Sequence, residues 1–190
     1  MPDPGPTRRR PVEVMLREEL LTRARNDRAS RHAQAAGETP RGAVEQVDTD
    51  NLAFLTPHLS RHGWLGADLV GKDGAHACWL LVFHAPAEQQ QAWLPLMQTA
   101  VLDGWADERD LAYLQDLVDM QTGRPQTHAT VTYSGDGENA RLWPLADPEG
   151  VNDLRAMLNM APLSGEEITN AWTVEELAHH HPVHTLPHDR

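Results

Sequence analysis

Between residues 12 and 123 the chain is cut repeatedly by glycine or proline, at Gly37, Gly63, Pro86, Gly104 and Gly123. The apolar residues between the cuts recur every third or fourth position. That period gathers them on one face of a helix and departs from the strict alternation of a half-buried strand. Val12, Met15, Leu16, Leu20 and Ala24 make the first stripe, with Arg17, Glu18, Arg23 and Arg25 off it, and predict a helix from Val12 to about Ala36. Gly37 to Gly42 reads as a linker. Asp48 or Thr49 is suited to cap a short helix through Leu55; Thr56-Pro57 then caps and opens another that stops at Gly63. Ala75 to His84 is apolar enough for a buried helix, a buried strand being the other reading. Pro86 starts a helix with Trp93, Leu94, Leu96, Met97 and Val101 inward, and Asp107 starts one carrying Leu111, Leu114, Leu117 and Val118. Helices on such short loops predict an antiparallel helical bundle.

After Gly123 the period changes. Thr127 to Tyr133 alternates and is rich in Thr and Val, residues 134–139 (Ser-Gly-Asp-Gly-Glu-Asn) make a turn, and Arg141 to Leu145 returns: one small β-hairpin. Asp147-Pro148 predicts a helix to about Met160. Ser164-Gly-Glu-Glu and Thr173-Val-Glu-Glu are capping-box patterns, each opening a short helix. The fold class expected is therefore mainly α, an antiparallel helical bundle with one small hairpin. Residues 1–11, with four prolines, read as a disordered arm, 12–178 as a single globular domain, and 179–190 as a flexible His-rich tail.

Charge narrows the partners. The formal net charge of −12 divides into +2 over residues 1–46 and −14 over the remainder, so nucleic acid and anionic membrane are not expected to bind. Arg8-Arg9-Arg10 in a proline-rich start reads as a solvated tail. The single lysine, Lys72, against 15 arginines suits a GC-rich bacterial coding sequence. Cys78 is the only cysteine and rules out an internal disulfide, which points to a reducing compartment. The start lacks the apolar segment of a signal peptide, and Cys78–Phe83 (CWLLVF) is too short to span a bilayer. A soluble, cytoplasmic protein is expected.

Few residues carry a chemical signal. His179, His180, His181, His184 and His188 can hold a transition metal weakly, but a proline-bearing tail does not supply rigid ligands. His58 and His62 share a helix face, yet Leu59 stands where a zincin has its catalytic glutamate. Asp48-Thr-Asp-Asn opens like a calcium loop, but Ala53 replaces the glycine and Leu59 the closing glutamate. Gly71-Lys-Asp-Gly lacks the rest of a phosphate loop, and the sequence contains no G-x-S-x-G, C-x-x-C or dinucleotide fingerprint. No cofactor and no metal site are expected. His84 ends the most apolar segment, where a neutral imidazole is a base or a core group bonded to backbone. Asp27 and Arg31 stand four apart, a spacing that suits a surface ion pair. Asp116 and Asp119 lie three apart on one helix face, where two carboxylates can divide acid–base work.

Several short segments in order carry a resemblance. They are Val47-Asp48 with Asn51, His62-Gly63-Trp64, Ala112-Tyr113-Leu114-Gln115-Asp116 and Gly123-Arg124-Pro125-Gln126, within a span from about Leu16 to Leu163. In this order the chain resembles a bacterial, mainly actinobacterial, family known only as a domain of unknown function, with motifs D-Q-x-x-R, Q-H-A-D, A-Y-L-x-D-R and G-x-P-Q-x-Y-G-T-Q. The resemblance makes Asp27, Arg31, Asn51, His84, Asp116 and Gln126 the matching polar positions. The chain departs from the pattern at Arg28, Phe83, Pro86 and Leu117, and at 127–130 (Thr-His-Ala-Thr).

Two functions follow as expectations. In the first, an enzyme or eroded enzyme has a polar pocket around His84. His84 and Asp116 are its catalytic pair, and Asp27, Arg31, Asn51 and Gln126 hold a small polar or peptide-like ligand. In the second, the chain is a non-catalytic interaction or regulatory module whose acidic surface engages a basic protein partner.

Overall fold

The structure, a computed structural model, describes residues 13–40, 42–134 and 140–180. The expected arm and most of the expected tail therefore lie outside the described residues, as do Arg8-Arg9-Arg10 and most of the hairpin turn. The elements run α1 (Val14–Ala35), α2 (Ala43–His62), α3 (Ala67–Phe83), α4 (Ala87–Leu102), α5 (Glu108–Gln121), β1 (Thr132–Tyr133), β2 (Arg141–Leu142), α6 (Val151–Met157), α7 (Gly165–Thr169) and α8 (Val174–His180). The fold is mainly α with one small antiparallel sheet. The chain divides into two compact units at Asp107–Glu108.

In the first unit α1 packs on α3 and α2, α2 packs on α3, and α4 joins α3. Leu20, Leu55, Val70, Cys78 and Val82 are wholly withdrawn from solvent in this core. The helices follow most of the predicted stripes, with three corrections: Met15, expected inward, is 84% exposed, and the helix expected from Ala75 begins at Ala67. Asp48, Thr49 and Thr56 cap nothing, because Ala43–His62 is one helix with Pro57 inside it. A proline deep in a helix forfeits one backbone hydrogen bond, yet the apolar stripe Val44, Leu55 and Leu59 stays buried across it, and that burial carries the helix through. Helix α3 contains a sharper irregularity: Gly71 has φ 73° and ψ 166°, a kink that joins two helical pieces. Arg17 braces it, pairing with Asp73, whose Oδ1 also accepts from the Gly74 amide at 2.9 Å.

The second unit begins with α5 and holds the sheet. Thr132 pairs with Leu142 and Tyr133 with Arg141, so the hairpin is shorter than the alternation predicts. Its core is aromatic and small: Trp143, Trp172 and Leu177 pack with Met120, Val131 and Tyr133, and Ala129, Leu142 and Val151 form a neighbouring cluster. Helix α6 starts later than Asp147-Pro148 suggests, because Asp147 Oδ1 accepts from the Glu149 and Gly150 amides and closes a turn first. It ends at Met157 because Asn159 adopts φ 53°, the left-handed conformation that stops a helix. Both capping boxes form, at Ser164–Glu167 and Thr173–Glu176. His179 and His180, expected in the tail, belong to α8. Among the described residues no helix is long and apolar enough to cross a membrane.

Candidate functional site

Asp27 and Arg31 on α1, Asp48 on α2 and His84 at the C-terminal end of α3 meet within the first unit. Asp27 is no surface partner: its side chain is 0% exposed, while Arg31, Asp48 and His84 keep 31, 27 and 21%. Asp27 Oδ2 lies 2.8 Å from His84 Nδ1. Arg31 Nε lies 3.3 Å from both Asp27 oxygens and 3.0 Å from the same Nδ1, and Arg31 Nη2 donates to Asp48 Oδ1. One proton decides between these contacts. A buried carboxylate at 2.8 Å places it on Nδ1, donating to Asp27, and Arg31 Nε–H is then served by the Asp27 oxygens. The lone pair of the neutral ring is thereby left on Nε2, which has no hydrogen bond among the described residues. Arg31 Nη1 likewise donates to no described group.

The carboxylates answer to burial and to their partners, His84 contributing a charge only when its ring is protonated. Burial pushes the Asp27 carboxyl up, but the hydrogen bond and charge of His84, followed by those of Arg31, outweigh it and hold Asp27 below its ordinary range. Burial also raises Asp48, and the Arg31 charge only partly offsets it. Two carboxylates and one guanidinium thus converge on an imidazole. The arrangement can hold a neutral His84 as a proton acceptor and can stabilise its protonated form after proton transfer.

Asn51 sits on α2, buried at 5% exposure, and lines an open groove between α1 and α2. Its Oδ1 lies 3.4 Å from Arg23 Nη1.

Asp116 and Gln126 fall in the second unit, and each is enclosed by its own loop. The Asp116 carboxylate accepts from the amides of Thr127 at 2.9 Å, His128 at 3.1 Å and Thr130 at 3.0 Å, and from Thr130 Oγ1 at 3.0 Å. His128 Nδ1 stands 3.4 Å away. Burial acts to raise its pKa, but the His128 side chain and then these backbone donors prevail and lower it. This capture diverts 127–130 from the strand the alternation predicts, with Ala129 forced to φ 56° and Arg155 Nη1 holding the carbonyls of His128 and Ala129. Gln126 is wholly buried. Its Nε2 donates to the carbonyls of Val131 and Trp143, and its Oε1 accepts from the Val131 amide. Both amide protons and the amide oxygen are therefore engaged within the second unit. Asp119, on the same face as Asp116, pairs with Arg124 at 2.7 Å. The carboxylate that reaches His84 is therefore Asp27, and Asp116 and Gln126 organise the 126–131 loop.

His58 and His62 stack at 6.2 Å between centroids, with Phe54 against His58. Burial, then the charges of His62, Arg61 and Arg23, lower the His58 pKa. Among the described residues no group of three or more His, Cys, Asp or Glu side chains is placed to hold a metal ion. Cys78 is buried, and burial pushes its thiol up to about 12.

Sequence reasoning missed Asp48 as a partner of Arg31, although it stands in the quoted Val47-Asp48 pair. It also missed Arg23, which nothing in its local pattern distinguishes from its charged neighbours. Compared with known proteins, the chain matches the model of a family of unknown function, DUF6624, over residues 15–172. No curated protein and no solved structure matches it.

Proposed function

Because the chain belongs to DUF6624, a family of unknown function, we propose its role from its own geometry: it binds a small polar or peptide-like ligand beside His84, whose Nε2 takes up a hydrogen bond or a proton from that ligand. The observation that carries this reading is the fully buried Asp27 carboxylate 2.8 Å from His84 Nδ1. A carboxylate there fixes the tautomer, orients the ring and stabilises imidazolium, as the acid does in an Asp–His pair that works in catalysis. Arg31 Nη1 supplies a donor for an anionic or carbonyl oxygen of the ligand, and Asp48 holds that guanidinium in place. Asp27 and Asp48 are positioning residues in this proposal, and His84 and Arg31 are the groups that meet the ligand. The reading places the protein in the cytoplasm, supported by its single buried cysteine.

The test is a thermal-shift screen of amino acids, dipeptides and small carboxylates on the wild type, His84→Ala and Asp27→Asn. Long-range nitrogen NMR of the His84 ring is recorded alongside. The expected result is a neutral ring protonated on Nδ1, scrambled in Asp27→Asn, and ligands whose stabilisation vanishes in His84→Ala. Ligands that stabilise His84→Ala as well as the wild type would sink the proposal. Failure of every ligand, together with capture of one basic protein at low salt by wild type and variant alike, would transfer the reading to an interaction module.

A further inference from the structure

The groove between α1 and α2 lies on another face of the helices that carry Asp27 and Asp48, and none of the four residues at His84 lines it. Its volume, about 570 Å³, falls within the roughly 300–1,000 Å³ of small-molecule sites. Arg23 is clamped in it by several contacts. Its guanidinium carbon stands 4.4 Å over the Phe54 ring, Nη1 donates to the Asp50 carbonyl at 3.2 Å, and Nε lies 2.7 Å from Glu19 Oε1. That last contact is an ion pair without a hydrogen bond, since buried Nε has no partner of acceptable geometry.

Asn51 is the decisive residue. It is nineteen-twentieths buried, and the Arg23 contact fixes which end of its amide is oxygen. Its Nδ2 then donates to no group among the described residues, although it lines the groove. Nδ2 is not one of the buried polar atoms left without a partner, so it meets solvent at the groove and is free to donate to a ligand there. The walls specify the rest. Asn51 Nδ2 and Arg23 offer donors to an acceptor oxygen, while the half-exposed Glu19 and the exposed Asp50 carboxylates present negative charge to a cation.

We propose that this groove is a second binding site, for a small zwitterion of amino-acid or dipeptide size. The ligand carboxylate is received by Asn51 and Arg23 and its ammonium group by Glu19 and Asp50. The site is independent of the reading at His84.

The experiment is an amide and side-chain NMR titration of the full chain with L-alanyl-L-alanine. The same dipeptide N-acetylated, and the same dipeptide as its C-terminal amide, serve as controls. Saturable shifts are expected at the Asn51 side-chain amide and at Arg23 Nε–H, with each control weakened about tenfold or more, the loss of one charged hydrogen bond. Arg23→Met, which keeps an unbranched apolar stem without the guanidinium, and Asn51→Leu should each lose binding by a similar factor, while His84→Ala leaves it unchanged. The proposal is overturned by the absence of shifts at millimolar dipeptide, by equal binding of either control, or by unaltered affinity in Arg23→Met.

Discussion

At the scale of single residues, two buried aspartates play opposite parts. Asp27 serves an imidazole that remains accessible, whereas Asp116 serves amides that its own loop turns inward. Asp116 is the better stability probe. Its pKa in the folded chain is lowered, so it adds stability in full above the unfolded value of about 3.9 and loses it as pH falls through the lower folded value. Asp116→Asn should therefore flatten the fall in melting temperature below about pH 4, and should lower stability at pH 7 by roughly 2–4 kcal/mol, because amides of the 127–130 loop lose a charged acceptor. Melting curves from pH 3 to 7 check both. The family resemblance marked Asp27, Arg31, His84, Asp116 and Gln126 as matching polar positions. Their division into two groups was not legible, because Asp27 and His84 stand 57 positions apart and their approach depends on how α1 crosses α3. The bonding of Gln126 was equally hidden, since its partners Val131 and Trp143 come from two segments whose approach no local pattern describes.

Among the elements, the helices were legible wherever an apolar stripe met a glycine stop, as in α1, α4 and α5. They were misread where a side chain competed with backbone propensity. Pro57 looked like a helix start and lies in mid-helix, and Asp147 looked like a cap and instead closes a turn. Gly71 was noted only as part of a failed phosphate motif, yet it bends α3. Its φ of 73° with ψ of 166° lies in a region that only glycine occupies readily. Gly71→Ala should destabilise the chain by about 1–3 kcal/mol, although the added methyl would meet no atom closer than 3.4 Å. Denaturant unfolding measures it, and an unchanged midpoint would mean that the bend is not enforced in solution.

For the molecule as a whole, the division at Asp107–Glu108 assigns the candidate sites to the first unit and the enclosed loop to the second. Every hydrogen-bonding partner of His84 described above lies before residue 107. A fragment of residues 1–107 is therefore expected to keep the downfield Nδ1 proton of His84 and the nitrogen shifts of the full chain; their loss would show that the second unit is required. The first unit also contains the chain's only thiol. With Cys78 wholly covered and its ionisation displaced to about 12, alkylating reagents react with it only when this unit opens. The residue is in effect a built-in stopwatch. Each adduct records one excursion of the first unit, and the labelling rate in native buffer reads how often the helices around His84 part.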